Sequence, residues 1–219
     1  GKTGGEVYIS ADKNLKVSDS VITTAGTTST ASASAAAVRL YSQGGDVNVK
    51  NTRVLSDGNL KAIAYNNVNV DNSLLQASNT VDSSQTKNAE ISGASSVNIK
   101  NTVVHGTGDV NITSKYTNGK VAGNINISSD KANGQNQTLI SAGKNLSVEG
   151  ANTTLDNASL AYSNIKFYGN NTTGINNVTV KNDTTFSPKT ASGSVSKNIT
   201  LETNGDFTMD KATMKAAAY

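Results

Sequence analysis

One six-residue phrase restricts what this chain can fold into more than any other feature. Val47-Asn48-Val49-Lys50-Asn51-Thr52 returns as Val68-Asn69-Val70-Asp71-Asn72-Ser73 and as Val97-Asn98-Ile99-Lys100-Asn101-Thr102, and more loosely as Val178-Thr179-Val180-Lys181-Asn182-Asp183. Within each copy the apolar residues alternate, which puts them on one face of a short strand. One and the same offset separates Val47 from Val68, Ile125 from Leu146 and Val178 from Ile199. A unit this short cannot enclose an apolar core alone. Repeated at a near-constant period, it buries its apolar edge by stacking on the next unit, as solenoids do. Hairpin-connected strands of a sandwich or barrel would not hold such a register. The expectation is therefore an all-β, right-handed parallel β-helix of roughly ten coils of about 21 residues, a rod near 50 Å long at about 4.8 Å per coil.

Composition agrees with a narrow core. The 219 residues include no Trp, only 5% aromatics and 35% hydrophobic residues, too few large side chains for a broad globular interior. Formal net charge is +3 and Lys and Arg are scattered, without the basic stripe and interleaved aromatics of a nucleic-acid binder. Cysteine is absent, which excludes disulfides and thiolate chemistry. No apolar run is long enough for a membrane-spanning helix. The first residues, Gly1-Lys2-Thr3-Gly4-Gly5, read as the middle of a repeat and carry no signal peptide. The reading is of one β-helix segment over 1–219 excised from something longer.

Two stretches interrupt the pattern. Thr23–Ala37 is a Ser/Thr/Ala tract without periodicity, and the interval from Val68 to Val97 is wider than that from Val47 to Val68. These predict loop insertions at 23–37 and 78–90, in a class of fold that often binds partners through such insertions, with a thin strand packed by Ala and Ser as the alternative for 23–37.

Asn51, Asn72 and Asn101 recur at the same place after their strands. Asn tolerates the left-handed backbone that a sharp corner demands, and stacked amides can bond from coil to coil. A structural Asn ladder is expected there, against the simpler reading of ordinary turn residues. Tyr41, Tyr65, Tyr116, Tyr162 and Tyr168 fall at strand ends or turns. They are candidates for partner binding, because an amphipathic ring suits a contact surface, or they cap the ends of the apolar core.

Catalytic and metal chemistry find little support. The one histidine, His105, stands beside a turn with no second histidine to share a metal. Asp46, Asp57, Asp71 and Asp109 are the carboxylates available for acid–base work on a sugar, and turn positions account for them better. The reading is of a non-enzyme without cofactor or metal.

The phrases Gly45-Asp46-Val47-Asn48-Val49, Asp57-Gly58-Asn59-Leu60-Lys61-Ala62 and Ala142-Gly143-Lys144-Asn145-Leu146-Ser147-Val148 resemble the shaft repeats of two-partner-secreted filamentous haemagglutinin-type adhesins and of the contact-dependent growth inhibition effectors built on the same stalk. The resemblance covers most of the chain outside 23–37 and 78–89. The Asn-Pro-Asn motifs of the family's secretion domain are absent. The resemblance implies a secreted or cell-surface segment of a Gram-negative bacterial filament, exported through an outer-membrane two-partner transporter. It would recognise a receptor on a host cell or neighbouring bacterium, with no membrane insertion and no nucleic acid. A purely structural spacer is the alternative it leaves, and a polysaccharide-active β-helix enzyme a more distant one.

Overall fold

The computed structural model describes residues 5–25, 37–80, 85–114, 123–130, 138–162, 164–168, 177–188, 198–203 and 205–216, with the backbone alone at 167, 168 and 188. Every regular element among them is a strand. Three parallel sheets of eight strands each form the walls of a β-helix, and the chain visits them in rotation, one strand per sheet per coil.

Sheet A takes Val7–Ala11, Val38–Ser42, Leu60–Ala64, Ala89–Gly93, Val110–Thr113, Asn145–Glu149, Asn164–Tyr168 and Ile199–Glu202. Sheet B takes Leu15–Ser18, Val47–Lys50, Asn67–Asp71, Ser96–Lys100, Asn124–Ser128, Asn152–Asp156, Asn177–Lys181 and Phe207–Asp210. Sheet C takes Val21–Thr23, Arg53–Ser56, Leu74–Ala77, Val103–Gly106, Thr138–Ala142, Ala158–Tyr162, Thr185–Pro188 and Thr213–Met214.

Parallel sheets usually read as unbroken apolar runs because helices cover both faces. Here only the inner face is covered, so the period-two alternation survives. Sheet B stacks Val47, Val68, Val97 and Ile125 in one inward column and Val49, Val70, Ile99 and Ile127 in the next. Sheet C stacks Val54, Leu75, Val104, Ile140, Leu160 and Phe186, all of them wholly buried. Each such side chain contributes about 1.5–3 kcal/mol by leaving water. Stacked aliphatics of similar size thus make a core one side chain deep from each wall. In the last coil the corresponding residues Phe207 and Met209 are each 42% exposed, because no further described coil covers them.

The described coils number eight, not ten, and the short expected period is the exception. Register along sheet B pairs Leu15 with Val47, Val47 with Val68, Val68 with Val97, Val97 with Ile125, Ile125 with Thr153, Thr153 with Val178 and Val178 with Phe207. Along this sheet only the step from Val47 to Val68, shared by Asn48 and Asn69, spans 21 residues; the others run from 25 to 32. The offsets from Ile125 to Leu146 and from Val178 to Ile199 cross from sheet B to sheet A and are coincidences of similar strands. Eight coils at about 4.8 Å make a rod of about 35–40 Å.

The interruptions are also narrower than expected. Thr23 belongs to sheet C and Ala37 is buried at the head of sheet A, with 26–36 outside the described residues. In the second, Ala89 and Glu90 already belong to a sheet A strand, and Lys87 is buried with its N–H on Thr107 Oγ1 at 2.9 Å. Residues 81–84 lie outside the described set.

Candidate interaction faces

The corner between sheets B and C carries the recurrent asparagines. Asn51, Asn72, Asn101, Asn157 and Asn182 all have left-handed backbone, with φ of 50°, 47°, 50°, 53° and 52°. A non-glycine residue is least strained there when its short amide can bond locally. Asn72 Nδ2 donates to Asn51 Oδ1 at 2.9 Å, and Asn51 Nδ2 to Asp19 Oδ1 at 2.9 Å. Asn101 turns the other way and donates to Asp130 Oδ2 at 3.3 Å, while its own Oδ1 accepts the Asp130 N–H at 3.0 Å.

The residues after Asn51, Asn72 and Asn101 form a second column that sequence reasoning missed. Thr52, Ser73 and Thr102 donate to the carbonyls of Lys50, Asp71 and Lys100 at 2.8, 2.8 and 2.7 Å. The same hydroxyls of Ser73 and Thr102 accept the N–H of Thr52 and Ser73 from the coil before, at 3.1 and 3.2 Å. Thr138 and Thr184 continue the arrangement on the Ser128 and Lys181 carbonyls. The signal was present as the Thr or Ser closing the first three phrases.

A third column runs up the outer face of sheet B. Asn69, Asn98 and Asn126 donate in series to Asn48, Asn69 and Asn98 at 2.9, 2.8 and 2.8 Å, and register extends it to Thr154, Thr179 and Thr208. This outward Asn was visible as the second residue of the first three phrases. Ion pairs Lys50–Asp71, Lys100–Asp130 and Lys181–Asp156 follow the edge of the same sheet. The hydrogen bond to Asp130 and the charge of its carboxylate raise the Lys100 ammonium above its ordinary value, and the bonds from Lys100 and Asn101 hold Asp130 below its own.

Sheet A presents a different outer face. Its two outward columns read Tyr8, Arg39, Lys61, Glu90, Asn111, Ser147, Lys166, Thr200 and Ser10, Tyr41, Ile63, Ser92, Thr113, Glu149, Glu202. Tyr8 and Tyr41 pack with ring centroids 5.6 Å apart, tilted by 41°. Tyr65 follows the next sheet A strand and is 52% exposed. Below them lie two open depressions that share Ser147. One, of about 380 Å³, is lined by Glu90, Ser92, Asn111, Thr113, Ser147 and Glu149. The other, of about 450 Å³, runs over Asn145, Asn164, Lys166, Asn198 and Thr200.

The five candidate tyrosines therefore separate. Tyr41 and Tyr65 sit on successive coils of sheet A. Tyr162 is no contact residue: it is wholly buried at the end of a sheet C strand, where its hydroxyl donates to the Lys215 carbonyl at 2.8 Å. Burial pushes its pKa up to about 12. An inward position on the strand, with Leu160 two residues before it, decides this. Tyr116 and the Tyr168 side chain lie outside the described residues. Tyr8 was missed, although Val7-Tyr8-Ile9 alternates plainly and leaves its ring outward.

The carboxylates do not converge. Asp46 and Asp109 accept bonds from Asn67 and Asn145 at the starts of sheet B and sheet A strands, Asp57 accepts Thr80 Oγ1 at 2.8 Å, and Asp71 faces Lys50 at 4.0 Å. His105 Nδ1 lies 3.2 Å from Ser141 Oγ. Among the described residues no group of three metal-ligating side chains occurs, and no helix is long and apolar enough to cross a membrane. No family model, curated protein or solved structure matches the chain.

Proposed function

We propose that this chain is a non-catalytic recognition segment of a secreted filamentous surface protein of a Gram-negative bacterium, of the two-partner-secreted haemagglutinin type, and that sheet A is its contact face. Family membership and export through an outer-membrane transporter rest on the repeat phrases. The contact role rests on one observation: the outward residues of sheet B repeat and bond to one another, whereas those of sheet A vary from coil to coil. An amide in a ladder commits much of its hydrogen-bonding capacity to its neighbours. A varied face with an exposed aromatic pair offers a partner distinct groups, and aromatic anchors dominate most contact surfaces.

Labelled protein added to bacteria of related strains and to epithelial cells tests this. Saturable binding to either, weakened at least tenfold by Tyr41→Ala, is the expected result. Binding to neither reduces the segment to a spacer. Binding that Tyr41→Ala leaves unchanged, but that a charge reversal on sheet B removes, would transfer the role to the other face.

A further inference from the structure

We propose that the outer face of sheet A takes a neutral glycan chain laid along the rod axis, a ligand class that rests on the recognition role proposed above. Four observations point to this chemistry. The two depressions share Ser147, one on each side of its column, and between them they extend from the fourth coil to the eighth, roughly 20 Å at about 4.8 Å per coil. Both are open to solvent along their length, which suits a chain rather than an enclosed small molecule.

Short uncharged groups supply most of the polar lining: Ser92, Asn111, Thr113 and Ser147 beside Glu90 and Glu149 in the upper depression, and Asn145, Asn164, Asn198 and Thr200 beside Lys166, Leu146 and Ile165 in the lower one. Hydroxyls and amides both donate and accept, as recognition of sugar hydroxyls requires. The Thr113 hydroxyl donates to Ser92 Oγ at 3.0 Å, which leaves lone pairs on Thr113 for a ligand.

The cations of this face are also engaged by carboxylates. Arg39 meets Glu6 at 2.7 Å, Lys61 meets Glu90 at 2.6 Å, and Lys166 meets Glu202 at 3.6 Å. An acidic polymer would have to compete with those pairs and would meet the Glu90 and Glu149 carboxylates that line the upper depression. A neutral chain meets neither obstacle. Further up the same face, Tyr8 and Tyr41 present tilted rings, whose apolar faces cover the C–H side of a pyranose while the hydroxyl ends stay wet.

The test uses intrinsic tyrosine fluorescence and calorimetry of the whole chain with cellohexaose, laminarihexaose and mannohexaose, and with an acidic hexagalacturonate for contrast. The expected result is saturable binding of at least one neutral hexamer, quenching of tyrosine emission, and at least tenfold weaker binding in Ser147→Glu. Thr179→Glu, on the outer face of sheet B, should bind as the parent does. Ser147→Ala serves if the Glu variant melts early, with a threefold or greater loss expected. Binding of hexagalacturonate alone, equal binding by Ser147→Glu and Thr179→Glu, or no neutral binding at all overturns the proposal. Cell binding measured alongside separates the two claims. Cells bound without any neutral glycan binding would sink the ligand class and leave recognition standing; neutral glycan bound while neither cell type is bound would keep the ligand class and sink recognition of those cells.

Discussion

Replacing Thr102 by Val removes one oxygen from the corner between sheets B and C and leaves shape almost unchanged. The Thr102 side chain is wholly buried. Its hydroxyl donates to the Lys100 carbonyl at 2.7 Å and accepts the Ser73 N–H at 3.2 Å. The Lys100 carbonyl keeps a second partner, the Asn72 N–H at 3.1 Å, so it loses one bond of two and stays satisfied. The Ser73 N–H loses its acceptor inside the wall. Stranding a buried donor costs about 1–3 kcal/mol and losing an ordinary bond about 0.5–1.5 kcal/mol, so Thr102→Val should cost about 2–4 kcal/mol. Thr102→Ser keeps the oxygen and deletes one methyl, for about 0.5–1.5 kcal/mol. Urea unfolding of the three proteins gives the difference, provided the transition is shown to be two-state, since solenoids can open from one end. Native-state hydrogen exchange at the Ser73 amide gives the same quantity locally. Equal midpoints for Val and Ser, with Ser73 equally protected in both, would refute the assignment of this hydroxyl as the corner's structural bond.

Three further outcomes follow from named groups. Tyr162 titrates at about 12 when folded, above its ordinary 10, so the folded state holds a proton that the unfolded chain releases. Its contribution is complete below pH 10 and is lost as pH rises toward 12, by roughly 2–3 kcal/mol; Tyr162→Phe should flatten that limb of a stability–pH curve and cost about 0.5–1.5 kcal/mol at pH 7 for the bond to Lys215. Asp130 lies below its ordinary value in the folded state, so the stabilisation it shares with Lys100 is present above pH 3.8 and fades as pH falls through the lowered folded value. Asp130→Asn should make the acid limb shallower, with a difference that shrinks in high salt because the pair is exposed. Gly143→Ala should lower the melting temperature, since a Cβ there would sit 2.0 Å from the Thr107 carbonyl oxygen and 2.7 Å from its carbon; backbone must move to admit it, at about 1–3 kcal/mol.

What the sequence disclosed about this fold was local. Alternation at Val47, Val49, Val68 and Val70 set their inward faces, and the identical spacing of Asn51 and Asn72 marked a corner with a left-handed residue. Coil number was not legible, because strands of all three sheets share one alternating pattern. Leu146 in sheet A and Thr153 in sheet B both look like plausible successors to Ile125, and only hydrogen-bond register separates them. The phrase also held more than one ladder. Its second residue lines sheet B, its fifth turns the corner and its sixth bonds the turn, and the corner position alone drew attention because Asn is expected at turns. The contact face was less legible still. Sheet A has no repeated outward phrase, so Tyr8, Tyr41 and the Ser147 depressions come together only through stacking of residues that stand far apart in the chain.

The carboxylates that invite an acid–base reading have a simpler part in the same stacking, and one substitution separates the two. Asp46 Oδ1 accepts both the N–H and the Nδ2 of Asn67 in the following coil, at 3.1 and 2.9 Å. Asp109 does the same for Asn145, at 3.1 and 2.9 Å. Elsewhere asparagine fills this role: Asn14 Oδ1 accepts the Asp46 N–H at 2.8 Å, and Asn88 Oδ1 accepts the Asp109 N–H at 2.8 Å. What the position requires is therefore one side-chain oxygen, whether carboxylate or amide, and no proton transfer. Asp46→Asn should keep the oxygen and change stability by less than about 1 kcal/mol, whereas Asp46→Ala strands two partly buried donors and should cost about 1–3 kcal/mol. The pair is read by urea midpoint. If Asn proved as damaging as Ala, charge rather than the shared oxygen would be the requirement at this step of the stack, and the equivalence of Asp and Asn along these columns would be wrong.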